Sequence, residues 1–134
     1  MNNPMAEFKK NFSKEYEIQN HKFLLRSLST KEANEIEKAV ARQTVSLNDD
    51  STFNTRKIET LAVSIVSIDG VPLRQFEDIQ IELSKGGNEK DLIKAEIESW
   101  DESFSSLIYL FYLDMLKEKD KRYEKEAKYL NGSN

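Results

Sequence analysis

The chain opens its patterned region with Tyr16-Glu-Ile18-Gln, where apolar and polar residues alternate. An apolar run follows, Lys22-Phe-Leu-Leu-Arg-Ser-Leu28, and Asn20-His21 between them suits a turn. Alternation flanking a turn predicts a small β-hairpin, which needs something to pack on because two strands alone are only marginally stable. Residues 1–12 before it read as a weakly ordered arm. After it, Ser29-Thr-Lys-Glu32 has the spacing of a capping box, in which Ser29 serves a first-turn N–H and Glu32 reaches back. Ala33, Ile36 and Val40 then recur at helical spacing, predicting a helix from about Thr30 to Arg42. Its other face carries Lys31, Glu35 and Lys38, as a solvated face does.

Thr44 to Thr52 is polar and reads as a loop. Ile58, Leu61, Ala62, Ile65 and Ile68 then share one helical face, with Asn54 or Thr55 as cap and Gly70 at the C-terminal end. A strand competes over Val63 to Ser67, because those residues are β-prone and Asp69-Gly70 suits a hairpin turn. Five helical matches over eleven positions favour the helix. Val71-Pro72 blocks its continuation. Leu73 to Leu83 fits helix and strand alike. Lys85-Gly-Gly-Asn88 is a break, and a short helix is expected from about Glu89 to Ser99. Asp101 can cap a last helix running to about Leu130, some 45 Å long at 1.5 Å per residue.

The expected architecture is therefore mainly α with a small N-terminal β-hairpin packed on about four helices. Residues 1–12 form the arm, 13–116 one bundle-like globular domain, and 117–134 a charged helical extension and tail. A length of 134 residues allows one domain.

Composition narrows the chemistry. Hydrophobic residues make up 38% and charged residues 33%, and mean hydropathy is −0.67. Twenty basic against 24 acidic residues give a net charge of −4, which argues against a dedicated nucleic-acid binder. Cysteine is absent, which removes thiolate metal sites and cysteine nucleophiles. His21 is the single histidine, so a histidine-rich metal site and a paired-imidazole mechanism are out. Asp49-Asp50 lacks the alternating ligands, central glycine and distal Glu of an EF-hand. Gly86-Gly87 lacks the Gly-Lys-Ser/Thr end of a phosphate loop. No Gly-x-Ser-x-Gly elbow accompanies His21, and neighbouring carboxylates such as Glu77-Asp78 and Asp101-Glu102 point different ways. The reading is a non-enzyme with no metal and no cofactor. The N-terminus has no apolar signal core, and the longest apolar run, Leu107 to Leu113, is far short of the roughly 20 residues that span a bilayer. A cytoplasmic protein follows as the default.

The last helix carries the strongest surface signal. Phe104 to Leu116 is apolar nearly all round, more than one packing face requires. Lys117 to Lys128 then mixes six basic with four acidic residues, as a solvated helix held by i,i+4 pairs does. Tyr109, Leu113, Leu116, Asp120, Tyr123, Ala127 and Leu130 nevertheless follow alternating steps of four and three, a coiled-coil-like stripe broken by Asp120. Leu110, Leu113, Leu116, Tyr123, Ala127 and Leu130 are the expected partner-binding residues, toward another protein or a second copy.

Two stretches resemble a family. Phe23-Leu-Leu-Arg-Ser-Leu-Ser-Thr-Lys-Glu-Ala-Asn-Glu-Ile36 is similar to the strand and Leu-Thr-x-x-Glu helix that open small tail and baseplate assembly proteins of tailed bacteriophages. Lys57-Ile-Glu-Thr-Leu-Ala-Val-Ser-Ile-Val-Ser-Ile-Asp-Gly-Val-Pro-Leu73 resembles the Leu-Ala-x-x-Ile/Leu-x-x-Ile-x-Gly segment of the same proteins. The resemblance spans about residues 16–116 and leaves the C-terminal extension unmatched. It implies a mostly helical, chaperone-like assembly factor that binds tail or baseplate proteins in the cytoplasm of an infected host. Two alternatives are a minor virion subunit of baseplate or neck and, in another class, a small regulatory enzyme or nucleotide-binding protein.

Overall fold

A computed structural model describes residues 4–43 and 49–130. Its order is α1 (Pro4–Phe8), β1 (Ser13–Ile18), β2 (His21–Arg26), α2 (Thr30–Gln43), α3 (Asp49–Ser64), β3 (Ile65–Ile68), α4 (Glu77–Ser84), α5 (Glu89–Glu98) and α6 (Glu102–Leu130). A 3-10 turn, Leu73–Gln75, precedes α4. The class is mainly α with a small antiparallel sheet near the N-terminus and a long C-terminal helix.

The expected hairpin forms, one residue earlier than read. Gln19 and Asn20 carry it with φ of 51° and 66°, the left-handed pair that a two-residue type I′ loop requires. His21 is therefore the first residue of β2, paired with Ile18, and not part of the turn. The sheet also has a third strand that the helical reading of residues 54–68 missed. The helix ends at Ser64, and Ile65–Ile68 pairs with β2 as Phe23↔Ile68, Leu24↔Ser67 and Leu25↔Ile65. A bulge at Leu24/Leu25 leaves Val66 as the extra residue. Asp69 and Gly70, with φ of 52° and 82°, then turn the chain so that Ile68 and Val71 exchange backbone hydrogen bonds of 2.9 and 3.0 Å. Helical spacing and β-propensity both described this segment, and the open edge of β2 decided where one gives way to the other. Ser64, fully buried at the junction, donates its hydroxyl to the Arg26 carbonyl at 2.8 Å.

Two boundaries also shift. α3 begins at Asp49, so 49–52 are helical and not loop, while 44–48 lie outside the described residues. The ambiguous Leu73 to Leu83 stretch resolves into the 3-10 turn and α4.

One face of the sheet is buried in alternation: Tyr16 and Ile18 from β1, Phe23 and Leu25 from β2, Ile65 from β3. α6 covers it. Tyr16 meets Phe111 at a ring separation of 4.8 Å and Phe23 meets Phe104 edge-on at 5.9 Å. Ile108, Tyr112 and Met115 drive the same side of α6 into the core, with Leu61 of α3 and Ile97 of α5 completing it. At the edge, the Tyr16 hydroxyl donates to Asp114 at 3.2 Å, and burial together with that carboxylate pushes the phenol up to about 12. α2 packs on α3 and is tied by Arg56 to Glu37 at 3.0 Å; α5 is tied to α3 by Lys94 to Glu59, also at 3.0 Å.

The capping box is present. Ser29 Oγ accepts the Glu32 N–H at 3.2 Å and Glu32 Oε1 accepts the Ser29 N–H at 2.9 Å. Glu32 also takes both arms of the Arg26 guanidinium, at 2.9 and 2.7 Å, which holds its carboxyl down at about 2. Ser29→Ala should cost roughly 1 kcal/mol in urea unfolding. Because the Glu32 pKa is depressed from 4.5 to about 2, the stability it adds is full above its ordinary value and is lost as pH falls between the two. The unfolding midpoint of the parent should therefore drop more steeply below pH 4.5 than that of Glu32→Gln, measured by acid-series denaturation.

Candidate functional site

The expected partner-binding residues divide along α6. Leu113 and Leu116 are half-buried and pack against the core, so own-core burial accounts for them. Leu110 is 61% exposed and stands one turn beyond Leu107, which is 40% exposed. Tyr123 is 66% exposed and Ala127 is also exposed. Leu130 ends the helix, and its side chain lies outside those described. The charged half of α6 is held further along than its composition suggests. Lys14 of β1 pairs with Glu118, and the Arg122 guanidinium lies 4.6 Å from the centre of the Phe12 ring. Phe12 itself packs against the core, and its N–H donates to Ser27 Oγ at 2.9 Å. Tyr123 thus sits beside the arm, in a groove of about 680 Å³ that Phe8, Phe12 and Lys119 also line.

At the opposite end of α6 is a more apolar hollow that the sequence reading did not anticipate. Its volume is about 560 Å³, between the β2–β3 end of the sheet, the 3-10 turn, α4 and the start of α6. Phe23, Leu73, Ile79, Trp100 and Phe104 make its walls, and Val71 and Phe76, each 37% exposed, stand at its lip. Trp100 is fixed by its indole N–H, which donates to Glu96 Oε2 at 2.8 Å, and by an edge contact with Phe104 at 6.0 Å. Trp100 lies between α5 and α6, just past the helix expected from about Glu89 to Ser99. The available signal was the Asp69-Gly70 turn: taken as a hairpin, it brings Val71 and Leu73 back beside β3.

The ionisable groups of this cleft are Asp69, Asp78, Glu96 and His21. Asp69 acts as a clip between strand ends. One oxygen accepts the Lys22 N–H at 2.8 Å, the other contacts His21 Nδ1 at 2.6 Å, and the Asp69 N–H donates to the Lys22 carbonyl at 2.7 Å. The Lys22 amide, and after it His21, hold the Asp69 carboxyl below the usual carboxylate range. The residues lining the cleft include no hydroxyl, thiol or amine, so the His21–Asp69 pair has no side-chain nucleophile beside it. Among the described residues no group of three or more His, Asp or Glu could hold a metal ion.

Among the described residues, the buried cation is elsewhere. Lys57 of α3, 3% exposed at its side chain, donates to Ser106 Oγ at 3.1 Å and lies 3.6 Å from Glu102. These contacts anchor α3 to the start of α6 and satisfy a charge that would otherwise be costly to bury.

Comparison with protein-family models, curated proteins and solved structures finds no match.

Asp69→Ala should accelerate hydrogen exchange at the Lys22 amide, whose acceptor it removes, while amides of β1 keep their protection. The clip needs the carboxylate, so in the parent the same amide should lose protection as pH falls through the depressed Asp69 value. Exchange measured residue by residue by NMR checks both.

Proposed function

We propose that the chain is a tail or baseplate assembly factor of a tailed bacteriophage that works by binding other proteins. The binding part rests on one observation: large apolar side chains stand in solvent on a rigid helix. Leu110 and Tyr123 are more than half exposed on α6, whose other side is locked into the core by Ile108, Tyr112 and Met115. A helix held in this way presents such residues without first having to be ordered, which lowers the entropic cost of docking. The assembly part rests on the two resembling stretches. They supply β2 with α2 and α3 with β3, and so the adjacent strands of one sheet.

The partners in this reading are other tail or baseplate proteins, met in the cytoplasm of the infected cell. No described helix is long and apolar enough to cross a membrane. An amber mutation early in the gene, in a phage that encodes the chain, should give filled heads without complete tails under the electron microscope. Complete infectious tails would overturn the reading. A fixed copy number of the chain in purified particles would make it a virion subunit instead.

At the residue level, Leu110→Glu and Tyr123→Ala should each weaken capture of the tail partner by about 1–2 kcal/mol. Both positions are exposed, so unfolding free energies should stay within about 0.5 kcal/mol of the parent. Isothermal titration beside urea unfolding separates the two effects.

A further inference from the structure

The chain carries an apolar knob and an apolar hollow of complementary charge at opposite ends of α6. The knob is the N-terminal arm. Phe8 is 75% exposed and Met5 55% exposed, and Lys9 and Lys10 follow directly. Lys10 pairs at the surface with Glu7 at 3.0 Å. The hollow is the cleft walled by Phe23, Leu73 and Trp100, with Asp69, Asp78 and Glu96 about it, Asp69 in contact with His21, and no lysine or arginine among its lining residues. A hollow of about 560 Å³ is of the size that takes a large side chain with part of its neighbours.

We infer that the cleft is filled by the arm of a second copy of this chain, Phe8 entering the hollow and Lys9 meeting its carboxylates. The cleft cannot take its own arm. Phe104 lines the cleft, whereas Phe12 is seated under Arg122, and 18 residues of helix between them span about 27 Å. The four residues from Phe12 back to Phe8 reach at most about 14 Å. The contact is therefore heterologous, head to tail, and each added copy presents a fresh cleft or a fresh arm. It uses neither Leu110 nor Leu107, although Tyr123 shares a groove with Phe8, so Leu110 is the position that separates it from the partner-binding reading of α6.

The test is sedimentation velocity on the full chain and two variants. Phe8→Ala disables the arm, and Val71→Lys puts a cation at the lip of the cleft; both side chains are exposed, so neither change should unfold the protein. The parent should grow in mass with concentration, and less so in high salt, which screens the charges. Each variant alone should stay monomeric. An equimolar mixture should form dimers and nothing larger, because one variant keeps only its cleft and the other only its arm. Trp100, the single tryptophan, lies in the cleft wall, so a synthetic peptide of residues 4–12 should shift its emission in the parent and not in Val71→Lys. A parent that stays monomeric, variants that associate as it does, or a peptide that leaves Trp100 unchanged would each overturn the inference. Leu110→Glu should self-associate like the parent, which separates this contact from capture of a tail protein.

Discussion

Burial of one apolar face of a three-stranded sheet beneath α6 is the contact on which the rest depends. Tyr16, Phe23 and Leu25 form that face, and α6 brings Phe111 to Tyr16 and Phe104 to Phe23, with Met115 in the same core. A hairpin alone exposes such a face and is marginal in water. The third strand and the long helix solve this together, since β3 closes the open edge of β2 and α6 closes the face. α3 is tied to α6 by Lys57 to Ser106, α5 is tied to α3 by Lys94 to Glu59, and α4 packs on α5.

The same arrangement explains why the two surface features lie far apart. α6 begins beside the cleft, with Trp100 and Phe104, and runs past the hairpin to the arm, with Arg122 over Phe12. It is a rigid spacer, because its inner face cannot rotate without withdrawing Ile108, Tyr112 and Met115 from the core. The apolar surplus of Phe104 to Leu116 is mostly absorbed by the sheet. Leu107 and Leu110 are what is left over, since they fall on the side of the helix turned from it. The mixed charges beyond Leu116 are partly used as well, with Glu118 serving Lys14 of the first strand.

The cleft is a consequence of the Asp69-Gly70 turn. That turn reverses the chain, returns Val71 and Leu73 to the sheet, and leaves a gap between the strand ends and the α4–α5 pair. Asp69 secures the turn to Lys22 and His21. The lone histidine is then best understood as one side of a polar clip at the cleft mouth, a role that composition could not suggest.

What the sequence determined by itself was local. The Ser29–Glu32 box and the Asp101 cap rest on partners within three residues, so spacing alone encodes them, and the hairpin was legible although its turn falls one residue earlier than Asn20-His21. The mainly α class and the length of α6 were legible for the same reason. Only the tertiary structure decided that the helix ends at Ser64 and that Ile65–Ile68 becomes a strand, because the competing hydrogen bonds come from Phe23, Leu24 and Leu25, some 40 residues away. It also decided which face of α6 is spent on the sheet, and so left Leu110 and Tyr123 in solvent while drawing Leu113 and Leu116 toward the core. Periodicity shows that a helix has apolar positions. Which of them are covered depends on what the rest of the chain brings to lie against them.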